Sequence, residues 1–202
     1  MTNHTARGSS IALCLLLAAV ACAQDFNPEH LVTTGQVTVD GREVPYEVRH
    51  LPPASFPDLP DAIAGALTQR NCLIPQTYAA HQPENVIHGS FQRPGSDDWA
   101  MLCSRNGEVS LLVFFSSNPA HPMTVASAPE TKRLQVHPST TVLGFNWGID
   151  AATPDTVHDA QVGLTPRPRP LDHDALADSV VDHATAYRYY SHDRWSVLAT
   201  SQ

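Results

Sequence analysis

The chain has 202 residues and a formal net charge of −8, from 12 basic and 20 acidic side chains. This length suits a single domain with a sizeable hydrophobic core. The acidic excess argues against nucleic acid as a partner, because a phosphate backbone requires a basic surface. It argues equally against electrostatic docking on anionic lipid.

The first 23 residues have the three parts of a secretory signal peptide. Arg7 precedes the apolar run Ile11–Val20, and Ala21-Cys22-Ala23 then supplies small residues. This order predicts an export signal over residues 1–23, and the apolar run is too short for a permanent transmembrane span. Cleavage after Ala23 would release a mature chain, residues 24–202, whose net charge is −9 because Arg7 is lost.

Cys22 leaves a second route open. Ala19-Val20-Ala21-Cys22 is similar to a bacterial lipobox, in which Cys22 would become the lipidated first residue. Ala19 stands where lipoboxes usually carry leucine, which favours release over lipidation. We therefore expect a secreted or periplasmic protein, and an outer-membrane lipoprotein only if Cys22 is modified.

The mature chain keeps two cysteines, Cys72 and Cys103. In an oxidising compartment two such cysteines usually pair, so we predict a Cys72–Cys103 disulfide. The bridge would close a loop of about 30 residues and stabilise the fold by about 3 to 4 kcal/mol. Neither residue lies in a Cys-His protease signature, so the prediction is a structural role.

The mature chain begins with a predicted hairpin and helix. Gln36–Val39 and Glu43–Val48 flank Asp40-Gly41, a strong hairpin signature, and Pro45 predicts that its strand lies at an edge. A short helix is expected over Asp58–Arg70, with Asp58 as its N-cap.

The centre reads as a three-stranded meander. Its strands are expected at Asn85–Phe91, Trp99–Cys103 and Val109–Phe115. The third strand has apolar residues on both faces, which predicts a central strand covered on both sides. A further short strand is expected at Arg133–Val136.

The last third is predicted to combine a long loop, a helix and a hairpin. The loop covers about residues 138–170, and the helix Asp172–His183 would turn Asp174, Asp178 and Asp182 outward as an acidic stripe. The closing hairpin would pair Thr185–Tyr190 with Trp195–Leu198. Together these elements predict one α+β domain with a central, mostly antiparallel β-sheet and two short helices.

Gly89-Ser-Phe91 and Gly95-Ser-Asp-Asp-Trp-Ala100 resemble the FG-GAP repeat of β-propellers, whose loop holds calcium. The resemblance occurs once, whereas a propeller needs several blades. Arg93-Pro94 also stands where the repeat carries acidic ligands. We therefore expect Asp97 and Asp98 to form a solvated turn and the start of a strand.

Four segments resemble a set of exported bacterial proteins that have no assigned function. They are Cys72-Leu-Ile-Pro-Gln76, Asn85-Val-Ile-His-Gly-Ser-Phe91, Asp98-Trp-Ala-Met-Leu-Cys-Ser104 and the closing Tyr-x-x-x-x-x-Trp hairpin. The resemblance implies a single secreted domain with a disulfide. It supplies no catalytic residues.

Ten histidines in the mature chain raise the possibility of a metal site. The strong local ligand spacings are missing, and His88 is expected to be a hydrogen-bonded strand residue. The densest cluster is Asp172-His-Asp174 with Asp182-His183 and His192-Asp193. On the predicted helix its histidines lie too far apart for one ion, so we predict no metal and no cofactor.

The apolar island in the predicted loop is the candidate ligand groove. Phe145, Asn146, Trp147 and Asp150 could line it, because aromatic and amide groups side by side are typical of binding pockets. The alternative is that Phe145 and Trp147 pin the loop to the core, and the residue pattern favours that alternative.

The sequence thus predicts an exported bacterial protein that is non-catalytic and either binds a partner or belongs to the envelope. The partner would be a protein or a small-molecule ligand of unknown identity. One alternative is a small secreted hydrolase whose site forms only in the fold, with His158 or His173 beside a serine and an aspartate. Another is a lipid-anchored envelope protein, which depends on Cys22.

Overall fold

The computed structural model describes residues 31–136 and 140–201. The predicted signal peptide and Cys22 lie outside these residues. The elements are β1 (Val32–Val39), β2 (Arg42–Leu51), α1 (Asp61–Gln69), β3 (Ile74–Pro75), β4 (Val86–Gly89), β5 (Asp98–Arg105), β6 (Glu108–Phe114), β7 (Met123–Pro129), β8 (Leu134–Val136), β9 (Leu143–Phe145), β10 (Trp147–Ala152), α2 (Pro154–Ala160), β11 (Ala175–Val180), β12 (Thr185–Ser191) and β13 (Arg194–Val197). The α+β class is confirmed, but the strands form three sheets instead of one central sheet.

The first sheet has the order β1-β2-β9-β8, and β3 pairs with the end of β2. The predicted hairpin turn is confirmed, with Asp40 at φ 49° and Gly41 at φ 77°. The edge assignment of Pro45 is wrong, because β2 lies inside the sheet. The ladder with β9 begins at Tyr46, so Pro45 is not required to donate to it.

The second sheet is an antiparallel meander with the order β4-β5-β6-β7. Its first three strands match the prediction, and β7 extends it. Val109, Leu111 and Val113 of β6 lie in the main core. Leu112 and Phe114 lie on the opposite face of the strand and pack against α1. The predicted burial of both faces of β6 is therefore confirmed.

Helix α1 packs against the second sheet and is held there by a disulfide. Cys72 and Cys103 are bonded, with their Cα atoms 5.2 Å apart, so the end of α1 is tied to β5. The helix begins at Asp61 after an N-cap at Pro60, not at Asp58, and the cap makes no side-chain hydrogen bond. The buried residues of α1 are Ile63 and Leu67, one turn apart on the same face of the helix.

The third sheet, β10-β11-β12-β13, overturns the predicted helix at Asp172–His183. This segment contains the strand Ala175–Val180, which lies between β10 and β12 and is largely buried. A strand covered on both faces shows no alternation of apolar and polar residues. Asp174, Asp178 and Asp182 are four residues apart, which fits one face of a helix, but the segment that contains Asp178 is a strand. The closing hairpin of β12 and β13 is confirmed.

The prediction of a long loop at 138–170 is also wrong for the part of this segment that the structure describes. It contains β9, β10 and α2. Thr153 caps α2 by accepting a hydrogen bond from Thr156 N at 3.2 Å, and Pro154 occupies the first turn. Thr153-Pro-Asp155 is typical of a helix start, and it explains why α2 forms inside the segment expected to be a loop.

Asn85 joins the three sheets. Its amide nitrogen donates to the carbonyl oxygens of Pro75 (2.8 Å) and Trp147 (3.1 Å), and its amide oxygen accepts from Ile149 N (3.1 Å). Its own carbonyl accepts from Leu102 N at 3.0 Å. The side chain therefore connects β3 with β10, and the backbone carbonyl of the same residue connects them to β5. Among residues 31–136 and 140–201, no helix is long and apolar enough to cross a membrane.

Candidate functional site

A polar cleft of about 330 Å³ opens between the loop after β4 and the turn that joins β12 to β13. It brings together segments that are about 80 to 100 residues apart in the chain. The residues that line this polar cleft are Gln92, Arg93, Pro94, Asp172, His173, Tyr189, Tyr190, Ser191, His192 and Asp193. Most of them are polar, and several are charged or aromatic.

His173 is the buried centre of the cleft wall, and both of its ring nitrogens have partners. Nε2 lies 3.0 Å from the carbonyl oxygen of Tyr190, which only accepts, so Nε2 carries a hydrogen and donates it. Nδ1 lies 2.6 Å from Asp172 Oδ1 and 3.0 Å from Tyr189 Oη. The imidazole is therefore held in place by strand and side-chain contacts.

Tyr189 and Asp172 set the electrostatics of the cleft. The Tyr189 hydroxyl donates to Asp172 at 2.5 Å, and its ring stacks on His173 with centroids 4.4 Å apart. Burial, and then the hydrogen bond and the negative charge of Asp172, raise the pKa of Tyr189 to about 12. The hydrogen bonds from Tyr189 and His173 lower the pKa of Asp172. Asp172 is thus a carboxylate, and Tyr189 a neutral hydroxyl, at neutral pH.

The turn between β12 and β13 places His192 and Asp193 at the mouth of the cleft. Both residues have positive φ, at 50° and 59°. The corresponding turns at Asp40-Gly41 and Asn106-Gly107 use glycine at the second position, where a side chain costs free energy. Here two side chains occupy the strained positions, and strained backbone is common at functional sites.

The opposite wall is held rigidly by Asp98. This carboxylate is fully buried, and it accepts hydrogen bonds from Gln92 N (2.7 Å), Ser96 Oγ (2.5 Å) and Ser116 N (2.8 Å). The expectation of a solvated turn is therefore wrong for Asp98, although Asp97 is exposed. These contacts fix the loop that presents Gln92 and Arg93.

The four residues of the predicted ligand groove lie away from the polar cleft. Phe145 and Trp147 are buried in the main core, as the alternative to the groove supposed. Phe145 also borders a separate pocket of about 290 Å³ beside Arg49. Asn146 is buried between β9 and β10, and Asp150 is exposed on β10, where desolvation and Glu84 raise its pKa.

The histidine-rich cluster of the sequence is divided between two ends of the third sheet. Asp172-His173 and His192-Asp193 meet in the polar cleft. Asp182-His183 lies at the far end of β11, where Asp182 accepts from the Tyr78 hydroxyl at 2.8 Å. His88, on β4, hydrogen-bonds to Asp97, which directly precedes β5. Within the described residues, no group of three or more His, Cys, Asp or Glu side chains is placed to hold a metal ion.

His173 is not placed to act as the general base of a serine hydrolase. Ser191 and His173 share the cleft. A general base needs a ring nitrogen that can accept the serine proton, yet Nε2 donates to a carbonyl and Nδ1 contacts Asp172 and Tyr189. His158, the other candidate, does not line the cleft, and its Nδ1 is buried without a hydrogen bond.

In comparisons with known proteins, no family model, no curated protein and no solved structure matches this chain. The geometry of the cleft is therefore the basis for a functional conclusion. Sequence reasoning identified the acidic and histidine cluster but missed Arg93 and Tyr189. They belong to the site only because β12 runs beside β11 and the rigid loop reaches across to it.

Proposed function

We propose that this chain is an exported, non-catalytic binding protein whose polar cleft takes a small, neutral, hydroxyl-rich ligand of the saccharide class. The observation that supports this most is that both ring nitrogens of His173 have partners within the protein, which hold the ring in position. A polar surface whose groups are held in place by hydrogen bonds is suited to recognition. The volume of about 330 Å³ is at the lower end for small-ligand pockets.

The ligand class follows from the mixture of groups at the cleft. Asp172 and Asp193 can accept hydrogen bonds, whereas the Arg93 guanidinium can only donate them. A hydroxyl group both donates and accepts, so a polyhydroxyl ligand can satisfy both kinds of partner. Since Arg93 and the carboxylates of Asp172 and Asp193 all line the cleft, a strongly charged ligand would be repelled by one kind of group or the other.

Export is supported by two features of the chain. The first 23 residues have the composition of a signal peptide. The Cys72–Cys103 disulfide is compatible with an oxidising compartment. The route is tested by the intact mass of the protein recovered from an exporting bacterium. We expect a chain that begins at Gln24, and a lipid-modified chain that begins at Cys22 would indicate an envelope anchor instead.

The binding proposal is tested by calorimetric titration of the mature protein with a panel of neutral mono- and disaccharides. We expect at least one to bind, and Arg93→Gln and Asp193→Asn each to weaken that binding about tenfold, the loss of one good hydrogen bond to a charged group. Asparagine is chosen because it tolerates the positive φ at this position. The matched controls are Arg105→Gln and Asp58→Asn, which change exposed residues outside the cleft.

Two results would contradict the proposal. One is the absence of binding to every saccharide in the panel. The other is hydrolysis of a chromogenic ester by the wild-type protein that Ser191→Ala abolishes, because Ser191 would then be a nucleophile at the cleft. That outcome would favour the secreted hydrolase over the binding protein.

A further inference from the structure

A groove of about 520 Å³ lies between the segment that leads into α1 and the first two strands of the second sheet. Aromatic and proline rings form most of its lining, and one side chain there carries a negative charge. These residues are Phe56, Pro57, Asp58, Pro83, His88 and Trp99. We call this surface the aromatic groove. A groove lined by aromatic rings is the typical binding surface for a proline-rich segment in the polyproline II conformation.

Trp99 is the part of the aromatic groove best suited to hold such a segment. It lies directly opposite His88 on the neighbouring strand, with the two rings 5.0 Å apart, and His88 is hydrogen-bonded to Asp97. Trp99 is only partly buried, and none of the described residues accepts a hydrogen bond from its indole nitrogen. The ring can therefore pack against proline, and its nitrogen can donate to a main-chain carbonyl.

The chain carries a proline-rich segment of its own between α2 and β11. Residues 165–170 are Thr-Pro-Arg-Pro-Arg-Pro, and all six are exposed. We call them the Pro-Arg segment. Proline fixes φ near the polyproline II value, so a sequence with proline at every second position loses little conformational entropy when it binds in that form. None of the described residues forms a main-chain hydrogen bond with the main chain of this segment.

The charges of the aromatic groove and the Pro-Arg segment are complementary. Asp58 is exposed and lines the groove, whereas no described lysine or arginine does. Of the two arginines in the segment, Arg167 already donates to the carbonyl oxygen of His158 at 2.6 Å. The side chain of Arg169 forms no hydrogen bond or ion pair with the described residues, so its charge is available to a carboxylate of another molecule.

The aromatic groove and the Pro-Arg segment lie on opposite outer faces of the molecule. Helix α1 packs on one face of the second sheet, and the third sheet packs on its other face. Helix α2 and Leu171, the residue after the segment, pack on the far face of the third sheet. Two sheets stacked about 10 Å apart therefore separate the segment from the groove of the same chain. The segment of one molecule can reach only the groove of another.

We propose that the aromatic groove binds the Pro-Arg segment of a second copy of this chain. The proline rings pack on Trp99 and Phe56, the Trp99 indole donates to a carbonyl of the segment, and Arg169 pairs with Asp58. The contact joins different surfaces of the two molecules, so a dimer keeps one unoccupied groove and one unoccupied segment, and further copies add head to tail. The aromatic groove and the polar cleft share no residue, so the proposal does not depend on the saccharide.

The test is sedimentation velocity of the mature protein and of two charge-reversal variants. Arg169→Glu alters the segment and leaves the groove intact, and Asp58→Arg does the opposite. The wild type is expected to sediment faster as its concentration rises. Each variant alone is expected to associate at least about tenfold more weakly, because like charges would then meet at the contact. Circular dichroism checks that both variants fold.

A mixture of the two variants is the decisive measurement. Arg169→Glu still has a native groove, and Asp58→Arg still has a native segment, so one native contact can form between them. We expect an equimolar mixture to form one-to-one dimers with wild-type affinity and nothing larger. The matched controls are Arg42→Glu and Glu108→Arg, which change exposed residues outside both surfaces and are expected to associate like the wild type.

Three results would overturn the proposal. The first is a wild-type protein that stays monomeric at every concentration. If a labelled, end-capped peptide of residues 164–171 nevertheless binds to that monomer, the groove takes a proline-rich segment of a different protein. The second result is a mixture of the two variants that associates no more than either variant alone, since the interface would then not join groove to segment. The third is a control variant that loses association as much as Arg169→Glu does.

Discussion

The indole nitrogen of Trp147 donates a 2.6 Å hydrogen bond to the buried carboxylate of Asp178. The same carboxylate accepts from Arg188 Nε at 2.7 Å, and the Arg133 guanidinium lies 3.9 Å from the centre of the Trp147 ring. These four residues come from β10, β11, β12 and the segment just before β8. One carboxylate therefore connects three strands of the third sheet.

Asp178→Ala is expected to destabilise the protein by about 3 to 5 kcal/mol, because it leaves the Arg188 charge without its partner in a largely buried position. The measurement is the free energy of unfolding in urea. Asp58→Ala is the control, since Asp58 is exposed. If both variants lose less than about 1 kcal/mol, the carboxylate has no structural role of this kind.

Two properties of position 85 favour asparagine, its side-chain hydrogen bonds and its positive φ, and two variants separate their contributions to stability. Its side chain satisfies three backbone groups, and its φ of 67° disfavours most side chains. Asn85→Gly relieves the backbone but leaves the three groups unpaired, which should cost about 2 to 4 kcal/mol. Asn85→Ala should cost about 1 kcal/mol more. Equal unfolding free energies for the two variants would show that the backbone conformation costs nothing here.

Removal of the disulfide is expected to lower the stability of the fold by about 3 to 4 kcal/mol. The Cys72–Cys103 bridge closes a 31-residue separation between the end of α1 and β5. The thermal midpoint of a Cys72→Ser, Cys103→Ser variant should fall clearly, and dithiothreitol should lower the wild-type midpoint but leave the variant unchanged. An identical midpoint with and without reductant would contradict a structural disulfide.

Glu130 should make the fold sensitive to acid. Its carboxylate is buried and accepts from Ser104 Oγ at 2.5 Å, and His50 Nε2 lies 3.1 Å away. Burial alone would raise the pKa of Glu130, but the hydrogen bonds from His50 and Ser104 and the charge of His50 outweigh it. The net effect lowers the pKa below the ordinary value of 4.5.

The sign of the pH effect follows from that lowered pKa. The folded state favours the charged carboxylate, so the stabilisation is complete above pH 4.5 and is lost as the pH falls through the lower folded pKa. Unfolding free energies between pH 7 and pH 3 should therefore fall more steeply for the wild type than for Glu130→Gln. Glu108→Gln, a change at an exposed position, should keep the wild-type slope. Parallel curves for the wild type and Glu130→Gln would refute the role assigned to Glu130.

Much of the fold could be predicted because local chemistry specified it. Asp40-Gly41 and Asn106-Gly107 adopt the positive φ values that hairpin turns of this kind require. Apolar residues at both alternating sets of positions in Val109–Phe115 indicate burial on both faces, and the two faces are buried in separate clusters. The predicted oxidising compartment and the presence of two cysteines in the mature chain suffice to predict the disulfide, which the structure contains.

The predictions are wrong where a local sequence pattern is compatible with two different structures. Asp174, Asp178 and Asp182 fit one face of a helix, but each has a tertiary partner that the sequence does not reveal. Asp174 accepts from Ser90 N at 2.9 Å, Asp178 from Trp147, and Asp182 from Tyr78. Long-range contacts therefore overrode a helical pattern.

The polar cleft could be predicted only in part. The sequence shows a local excess of aspartate and histidine at residues 172–174 and 192–193. Their convergence depends on the pairing of β11 with β12, which places the start of one strand beside the end of the other. Arg93 lies on the loop between β4 and β5 of the second sheet, and Asp98 holds that loop through Gln92 and Ser96, so no spacing in the sequence connects Arg93 with the site.

The most direct test of the binding proposal is the amide NMR spectrum of the isotope-labelled mature protein, titrated with the neutral saccharide panel. We expect saturable shift changes at residues 92–93, 172–173 and 189–193, with the rest of the spectrum unchanged. Unchanged amide positions throughout the titration, or changes confined to residues outside the polar cleft, would contradict the function proposed for this site.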